Sequence, residues 1–459
     1  MTRRFHVRTY GCQMNENDSE RIAGLLTAEG MEPTDDLEAA DVIVLNTCCI
    51  RENADNKLYG HLGRLKELKA RRPDLQIAVG GCLAQKDREV VLERAGHVDV
   101  VFGTHNLGRA AQLLEHAREA GPIVEILDEH DADPAALPAR RESEHSAWVT
   151  IQIGCDNSCT FCIVPIVRGP EISRRLGDVV REVTELAADG VSEITLLGQN
   201  VNSYGRDLGA GQYRPRFADL LREVSAVVGI RRVRFTSPHP KDLRPDTIAA
   251  MSECDAVCEQ LHLPLQSGSD RTLARMHRGY TADRYLERLR AARAAIDDLA
   301  VTTDLIVGFP GETAADFERT LEVVDEAAYD AAYTFVFSPR PGTPAAEMTD
   351  DFVAPDIVRD RMARLTEVVE RHALERHEAR LGRVEEVLVE GSSKTDPTRR
   401  TGRTRQGKLV HFAADEAATP AGSYVNVRVT RAAPHWLAGE PSEPVPPRPT
   451  WVPIPVAAG

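Results

Sequence analysis

Residues 154–165 read GCDNSCTFCIVP and contain three cysteines, Cys155, Cys159 and Cys162, in the spacing Cys-x3-Cys-x2-Cys. A zinc site typically closes four ligands with paired cysteines, but no Cys or His follows Cys162 within the next thirty residues. Three thiolates without a local fourth ligand favour a 4Fe–4S cluster in which one iron keeps an open position. The alternative is three structural cysteines, or a zinc ion whose fourth ligand is distant in sequence.

The region around and beyond this stretch alternates predicted strands with predicted helices. Apolar, strand-like runs occur at 148–153, 194–197, 233–236, 261–265, 303–307 and 333–337. Helical patterns lie between them, for example over 178–188 and 283–296. Six such units within roughly 190 residues predict a partial (βα)6 barrel of the TIM type, since a complete barrel typically needs ~250. The Gly-rich segments after these strands then lie on the face that carries active sites in barrels, although any one of them could be a simple tight turn.

The N-terminal part predicts an open parallel sheet. Its strands are expected at 5–10, 42–46 and 77–80, and a helix is expected to begin near Asp18 or Ser19 as its cap. A cysteine follows each strand by one or two residues, namely Cys12, Cys48 and Cys82. Ligands bind at this edge of an open α/β sheet, so we expect the three thiols to converge on a second metal site. Any one of them alone would be interpreted as a buried core thiol.

The other cysteines are less informative. In the doublet Cys48-Cys49, either thiol could be the ligand of this metal site. Neighbours on an extended segment point to opposite sides, so only one of them is expected to face the site, and position alone does not show which. Cys254 and Cys258 have helical spacing and no third partner, so they are predicted to be buried thiols without a metal role.

The C-terminal part has a different pattern. After a helix predicted around 356–380, short alternating runs over 384–430 predict a small antiparallel β-barrel. Seven Lys or Arg stand against four acidic residues between 382 and 412, an excess that suits phosphate contact but also an ordinary solvated loop. The candidate phosphate-binding residues are Arg399, Arg400, Arg403, Arg405 and Lys408.

Length and composition set the remaining bounds. The 459 residues are 42% hydrophobic and 28% charged, with a formal charge of −15, which excludes a collagen-like or wholly disordered chain. No apolar run approaches the ~20 residues that cross a bilayer, and no secretory signal is evident, so a cytoplasmic location without a membrane is expected. In that compartment nine cysteines indicate metal binding, catalysis or buried thiols rather than disulfides. The predicted domains are an N-terminal α/β domain (1–120), a linker (121–146), the partial barrel (147–375), the small β-barrel (376–440) and a Pro-rich tail (441–459).

Longer motifs resemble a known family. The three-cysteine motif with Phe161 before its last cysteine resembles the radical S-adenosylmethionine (SAM) enzymes. Within them, the chain resembles the methylthiotransferases over roughly residues 4–435. The motifs that carry this resemblance are TYGCQMNENDSE (9–20), NTCCIRENADNK (46–57), GGCLAQ (80–85), GCDNSCTFCIVPIVRG (154–169), LLGQNVNSYG (196–205), SPHP (237–240), HLPLQSGSD (262–270), TDLIVGFPGET (303–313) and RPGTPAAE (340–347).

The resemblance implies two 4Fe–4S clusters and SAM as cofactors. A cluster that binds and cleaves SAM to a 5′-deoxyadenosyl radical would be held by Cys155, Cys159 and Cys162. An auxiliary cluster, which carries or donates sulfur, would be held by Cys12, Cys48 and Cys82. The family's NTC-x-IRE motif has its ligand at the first cysteine of the doublet, so Cys49 takes a variable position. Candidate SAM neighbours, from their place after the barrel strands, are Gln199, Asn200, Ser267, Gly308, Gly311 and Glu312.

The substrate is also implied by the resemblance. TYGCQMN and NTC-x-IREN resemble the branch that acts on isopentenylated adenosine, whereas other branches show residues closer to SLGCPKN or TLGCKVN. This implies methylthiolation at C2 of N6-isopentenyladenosine, at position 37 of a tRNA anticodon stem-loop, with two SAM per product. An adenosine of that loop can be splayed out of its stack. The alternatives are threonylcarbamoyl-adenosine in tRNA, a ribosomal protein side chain, or a non-enzymatic iron–sulfur protein that binds RNA.

The resemblance bears on the partners as well. The C-terminal barrel resembles the TRAM domain, which binds RNA, and this favours the phosphate-binding interpretation of its basic residues. Arg168, Arg174 and Arg175 after the cysteine loop could also meet phosphates, or pair with acids such as Glu171. We expect a monomer that depends on an electron donor and a sulfur source which the sequence does not identify.

Overall fold

The computed structural model describes residues 2–49, 52–129, 136–209 and 214–443. The first domain is a six-stranded sheet whose strands all pair in parallel, as predicted. Its strands are β1 (Arg4–Tyr10), β2 (Glu32–Pro33), β3 (Val42–Thr47), β4 (Gln76–Gly81), β5 (Val100–Phe102) and β6 (Ile123–Glu125), in the order β2-β1-β3-β4-β5-β6. The helices of this domain are α1 (Gln13–Ala28), α2 (Glu52–Arg71), α3 (Cys82–Asp87), α4 (Val90–Arg94) and α5 (Ala110–Ala120).

Two boundaries of this domain differ from the prediction. Helix α1 begins at Gln13, so the cap expected near Asp18 or Ser19 is wrong. Both residues lie inside the helix and are buried, because their side chains contact other parts of the protein; Thr9 Oγ1, for example, donates to Ser19 Oγ at 2.7 Å. Strand β6 lies within the predicted linker, so the sheet continues to Glu125. The next described residues of the linker pack on α1, where the Arg140 amide donates to the Glu20 carbonyl at 2.8 Å.

The second domain confirms the partial barrel. Its strands are β7 (Ser146–Thr150), β8 (Gln152–Ile153), β9 (Ile172–Ser173), β10 (Glu193–Leu197), β11 (Arg232–Phe235), β12 (Gln260–His262), β13 (Ala300–Val307) and β14 (Ala331–Val336). Two parallel three-stranded sheets, β7-β10-β11 and β12-β13-β14, are joined by a parallel bridge between Val233 and Val257. Strands β8 and β9 form a separate antiparallel pair. The helices are α6 (Val164–Arg168), α7 (Leu176–Ala188), α8 (Phe217–Ser225), α9 (Pro245–Glu253), α10 (Asp270–Arg275), α11 (Ala282–Ala295), α12 (Ala314–Ala327) and α13 (Pro355–Glu378).

The third domain is a closed five-stranded barrel. Its strands are β15 (Val384–Ser392), β16 (Arg399–Arg403), β17 (Leu409–Ala413), β18 (Tyr424–Ala433) and β19 (Trp436–Pro441), in the order β15-β16-β17-β19-β18. The expectation of a wholly antiparallel barrel fails at one seam, because β17 and β19 pair in parallel. Valine, leucine and phenylalanine side chains fill the interior. Most of the predicted tail, from residue 444, lies outside the described residues.

Two arginines of β11 attach the third domain to the second. Arg232 donates to the carbonyls of Arg403 (2.9 Å) and Glu386 (2.8 Å), and Arg234 donates to the carbonyls of Thr404 and Arg405, both at 2.8 Å. Residues two apart on a strand share one face, so β11 presents both guanidinium groups to the same surface. Within the described residues, no helix is long and apolar enough to cross a membrane.

Candidate functional site

The loop that carries Cys155, Cys159 and Cys162 follows β8 at the barrel edge where active sites form. Gly154 precedes it with φ +77°, and a Cβ there would lie 1.9 Å from the Pro170 carbonyl oxygen, so only glycine fits. The loop is fixed by backbone hydrogen bonds, from the Cys155 amide to the Gly169 carbonyl (3.2 Å) and from the Thr160 amide to the Met276 carbonyl (3.2 Å). The three thiols are therefore held on a short, well-anchored segment.

The surroundings of these thiols suit a metal cluster. Asn157 Nδ2 donates to Cys155 Sγ and Arg278 Nη1 donates to Cys159 Sγ, both at 3.3 Å. Burial raises the pKa of Cys155 and raises that of Cys162 to about 12. Such thiols become thiolate ligands when a bound metal supplies the compensating positive charge. The donor set thus fits a three-thiolate cluster.

The second set of cysteines lies at one edge of the N-terminal sheet, because β1, β3 and β4 are neighbouring parallel strands. Cys12 and Cys48 follow the first two of these strands, and Cys82 is the first residue of α3 directly after β4. The backbones approach closely here: a Cβ on Gly11 would lie 2.4 Å from Cys48 Cβ, and one on Gly81 would lie 2.3 Å from Asn46 Oδ1. The predicted convergence of these cysteines is thus present in the structure.

The doublet does not behave as an extended segment. A hydrogen bond from Cys48 lowers the pKa of Cys12 to about 6, and Cys49 makes a similar hydrogen bond to Cys82 that lowers the pKa of Cys82. Both thiols of the doublet therefore face another cysteine, which corrects the expectation that one of them points away. The physical reason is that β3 ends at Thr47 and the chain bends at the doublet, so the alternation of a strand no longer applies. Cys258 is buried and Cys254 half-buried, with burial raising the pKa of both.

The three-thiol sets differ from a mononuclear site. In the described part of the chain, no group of three or more His, Cys, Asp or Glu side chains is placed to hold a single metal ion. A 4Fe–4S cluster binds each thiolate to a different iron, so it requires a wider spacing of sulfurs than one zinc ion does. Three thiols in each set match the donor set of a 4Fe–4S cluster that keeps one iron open.

Buried amide oxygens without hydrogen bonds mark the neighbourhood of the cysteine loop. They are Oε1 of Gln152, the first residue of β8, and Oε1 of Gln199 and Oδ1 of Asn200, which follow β10. The orientation of two of these amides is fixed, since Gln152 Nε2 donates to Ser203 Oγ (3.2 Å) and Asn200 Nδ2 donates to Asp242 Oδ2 (2.8 Å). A buried acceptor without a donor costs about 1–3 kcal/mol, so these oxygens favour a bound group with N–H or O–H donors. The ammonium and hydroxyl groups of SAM are donors of that kind.

The other candidate SAM neighbours have partners within the protein. Glu312 accepts from the Gly308 amide (2.9 Å) and from Arg361 Nη1 (2.7 Å), so its carboxylate closes the turn that contains Gly311. Ser267 is fully buried, and its hydroxyl lies 3.2 Å from Thr320 Oγ1. Gly308 has φ +74° and a Cβ there would lie 2.6 Å from Val358. Glu312 and Ser267 thus close a turn and pack within the protein, and all six candidate SAM neighbours (Gln199, Asn200, Ser267, Gly308, Gly311 and Glu312) stay predictions.

The arginines after the cysteine loop are placed differently from one another. Arg168 is only 4% exposed and its Nη2 lies 2.5 Å from Asp18 Oδ2, so of its two alternatives the ion pair is observed, with Asp18 as the acid in place of Glu171. Arg174 donates to Glu182 Oε2 (2.6 Å) and to the Thr150 carbonyl (2.7 Å). It therefore forms the ion pair expected as the alternative to a phosphate contact, but with Glu182 in place of Glu171. Arg175 is exposed and stays a candidate phosphate contact.

Three of the five basic residues of the third domain are also corrected. Arg405 donates to Glu259 (2.7 Å) and to the Val257 carbonyl (2.7 Å), and Lys408 lies 2.7 Å from Asp330 Oδ1, so both are buried against the second domain. Arg400 is 2% exposed and donates to Ser392 and Glu416. A buried, paired cation is not available to a phosphate. The side chains of Arg399 and Arg403 are nearly half exposed, with local acids as partners, and remain candidates for RNA contact.

A cavity of about 1040 Å³ opens where the three domains meet. Helix α1, the end of the linker, the barrel strands and the third domain all contribute to its lining, which includes Glu16, Glu20, Glu142, Trp148, Arg234, Tyr333 and Arg403. Burial raises the pKa of Glu20 to about 7. The cavity combines aromatic rings with carboxylates, so its interior suits an uncharged planar group better than a phosphate.

The sequence patterns missed several residues of the site. Gln152 precedes the cysteine loop by three positions, and Arg278 comes from a segment more than a hundred residues away in sequence. Asp18 was selected only as a helix cap. The one available signal was a run of polar residues, Asn15 to Glu20, in the first turns of a helix; all of them except Glu16 are buried.

Comparison with known proteins agrees with this architecture. Three family models match consecutive parts of the chain: Uncharacterized protein family UPF0004 over residues 4–103, the Radical SAM superfamily over 149–324 and the TRAM domain over 378–441. These ranges correspond to the parallel sheet, the partial barrel and the closed β-barrel.

Full-length relatives decide the family. The tRNA-2-methylthio-N(6)-dimethylallyladenosine synthase of Acidothermus cellulolyticus is 56% identical over 442 residues, covering 95% of this chain and 88% of the relative. The synthase of the same name from Streptomyces viridosporus is 54% identical, over 96% of this chain and 87% of the relative. The chain belongs to this synthase family. The recognised resemblance to the radical SAM methylthiotransferases is thereby confirmed.

Solved structures show how widely the fold of this synthase family member is shared. The radical S-adenosylmethionine methyltransferase TsrM from Kitasatospora setae matches with a TM-score of 0.55 at 13% identity, over 75% of each chain. The cobalamin-dependent S-adenosylmethionine radical enzyme OxsB matches with a TM-score of 0.52 at 12% identity, over 81% of this chain and 56% of OxsB. At such identities the likeness shows the fold alone.

Proposed function

We propose that this chain methylthiolates tRNA, converting N6-isopentenyladenosine at position 37 to 2-methylthio-N6-isopentenyladenosine. The single observation that carries the proposal is the match at 56% identity over 95% of the chain to a synthase named for that nucleoside. Two sets of three cysteines and a TRAM barrel in one chain support it, because the reaction needs SAM cleavage, a sulfur source and an RNA substrate.

The cofactors are SAM and 4Fe–4S clusters. In our proposal Cys155, Cys159 and Cys162 hold the cluster that binds SAM, and Cys12, Cys48 and Cys82 hold the auxiliary one. When bound, these groups supply the one-electron chemistry, the sulfur and the methyl group, which no side chain can provide at an aromatic C–H. The protein contributes a fixed position for each set of thiols and buried amide oxygens that orient SAM.

The cavity between the domains is the proposed entry for the substrate base. Trp148 and Tyr333 line it and offer ring faces on which an adenine can stack. Glu142 and Glu144 line the same space and repel phosphates, so only the base splayed out of the anticodon loop would enter. Arg399, Arg403 and Arg175 lie outside the buried interfaces and are our candidates for the surrounding phosphates.

Further features of the proposal concern the setting of the reaction. The tRNA anticodon stem-loop is the macromolecular substrate, and we place the enzyme in the cytoplasm, where that substrate is found. We expect a monomer that receives electrons from a separate reductant and sulfur from a separate donor.

Nucleoside mass spectrometry of tRNA from a deletion strain of the source organism tests the proposal. We expect 2-methylthio-N6-isopentenyladenosine to disappear and N6-isopentenyladenosine to accumulate, with restoration by the wild-type chain. Any 2-methylthio form of threonylcarbamoyl-adenosine should be unchanged, and so should ribosomal proteins. Unchanged 2-methylthio-N6-isopentenyladenosine in the deletion strain would sink the proposal.

A further inference from the structure

Arg168 attaches the segment that follows the first set of cysteines to the first domain. It is six residues beyond Cys162 in sequence, yet its guanidinium is buried against the first domain, with Nη2 2.5 Å from Asp18 Oδ2. The preceding residue, Val167, lies in the same buried hydrophobic cluster as Cys82. One side chain from the segment after the first set thus brings a positive charge to the part of the first domain that holds the second set.

The position of this guanidinium is fixed by packing. Helix α6 ends at Arg168; Val167 within it and Ile163 just before it belong to the same hydrophobic cluster as Cys82. Thr104 Oγ1 donates to the Val167 carbonyl at 2.5 Å, which ties the end of the helix to the first domain. The guanidinium therefore cannot move away from the second set without breaking an apolar interface.

The charge at this site requires compensation. Several thiolates brought into a buried pocket carry net negative charge, and buried charge is costly unless it is paired. Asp18 is 5% exposed and accepts a hydrogen bond from Arg168, which fixes the orientation of the guanidinium. Net charge and hydrogen bonding around an iron–sulfur cluster are among the factors that set its reduction potential.

We propose that Arg168 is a positioning residue for the auxiliary cluster: its charge, oriented by Asp18, offsets the negative charge at Cys12, Cys48 and Cys82 and favours the reduced state. This inference rests on the proposed function, since it assumes that these cysteines hold a cluster. Removing the cation should make reduction harder, whereas removing the nearby anion should make it easier. The two partners of one ion pair then have opposite effects.

The test uses the full-length chain with Cys155, Cys159 and Cys162 replaced by Ala, so that only the auxiliary cluster titrates. After anaerobic reconstitution, iron content and the midpoint potential are measured by a spectroscopic redox titration. We expect Arg168→Met to make reduction about tenfold less favourable, a shift of about 59 mV to more negative potential for one electron. Asp18→Asn should shift the potential to more positive values, and Arg168→Lys should restore most of the parent value.

A purely structural role gives a different result, because both single variants break the same ion pair and would change the protein in the same direction. If Arg168→Met does not retain iron, the double variant Arg168→Met/Asp18→Asn, which leaves no unpaired buried charge, is compared with Asp18→Asn alone. Equal potentials in that comparison, or shifts of the same sign in the two single variants, would overturn the inference. Failure of the proposed function is separate: wild-type enzyme would hold both clusters and methylthiolate no tRNA.

Discussion

Arg278 Nη1 donates a hydrogen bond to Cys159 Sγ at 3.3 Å, across 119 positions of sequence. Arg278 is buried, and its Nε donates to the hydroxyl of Tyr280 at 3.1 Å. A permanently charged donor is thus hydrogen-bonded to one of the three cysteines of the barrel loop. Such a contact stabilises negative charge on the sulfur, and a charge-assisted hydrogen bond contributes about 1.5–3 kcal/mol.

This contact predicts an effect on the cluster that binds SAM. Arg278→Met should retain iron but lower the midpoint potential by roughly 60 mV, the shift for a tenfold change in a one-electron couple. The measurement is a spectroscopic redox titration of the full chain with Cys12, Cys48 and Cys82 replaced by Ala. Tyr280→Phe is the matched control, since it removes the partner of the guanidinium and leaves the charge in place. A midpoint potential unchanged in Arg278→Met would show that the contact does not act on the cluster.

The cysteine doublet predicts unequal effects for two neighbouring substitutions. Cys48→Ala should reduce the iron of the reconstituted chain from about eight to about four atoms, because it removes one ligand of the auxiliary cluster. Cys49→Ala should leave about eight, since the family motif has its ligand at the first cysteine. Iron and sulfide analysis of both variants decides the point. Loss of half the iron from Cys49→Ala would assign the ligand to the thiol that faces Cys82.

Substitutions of a buried and of an exposed arginine of the third domain should have different effects. Arg405→Met removes a buried partner of Glu259 and should destabilise the chain by about 3–5 kcal/mol, as for other broken buried pairs. Arg403→Ala, on a side chain 48% exposed, should change stability by less than about 1 kcal/mol but reduce the salt dependence of tRNA binding by about one unit of slope. Thermal unfolding and binding titrations at several salt concentrations separate the two effects. An unaltered salt slope in Arg403→Ala would remove it from the RNA contacts.

Glu20 predicts a pH dependence of stability. Burial raises its pKa from 4.5 to about 7, so the folded chain keeps a proton that the unfolded chain releases. Stability from this group is present below about pH 4.5 and is lost as pH rises through about 7. Glu20→Gln, which keeps the acceptor for the Glu142 amide, should therefore be more stable than wild type at pH 8, by up to about 3 kcal/mol, and equal to it near pH 4. Unfolding curves of Glu20→Gln and wild type that superimpose at pH 8 would contradict this prediction.

Periodicity located the domains and the cysteines well, because both depend on local pattern. The three strands before Cys12, Cys48 and Cys82 were predicted to within one residue at each end, and parallel strands necessarily end at one edge. The six barrel strands followed from the same alternation of strand and helix. Here the local pattern and the final fold agree.

The partners of the charged side chains could not be predicted from the sequence. The sequence offered Arg405 and Lys408 as phosphate contacts and left Arg168 open between a phosphate and an ion pair, yet each is buried against an acid more than seventy positions away. A count of charges cannot tell a cation that faces solvent from one that attaches two domains. Asp18 is a further example. An acid near a predicted helix start is typical of a helix cap, but in the structure Asp18 pairs with Arg168.

The most direct test of the central claim is a reaction with purified components. Reconstituted chain, SAM, a reductant, a sulfide source and tRNA carrying N6-isopentenyladenosine are combined, and the nucleosides are analysed by mass spectrometry. We predict 2-methylthio-N6-isopentenyladenosine together with 5′-deoxyadenosine, and loss of the methylthio product when Cys12, Cys48 and Cys82 are replaced by Ala. Formation of the same product by that triple variant, or none by the wild-type chain holding both clusters, would contradict the account.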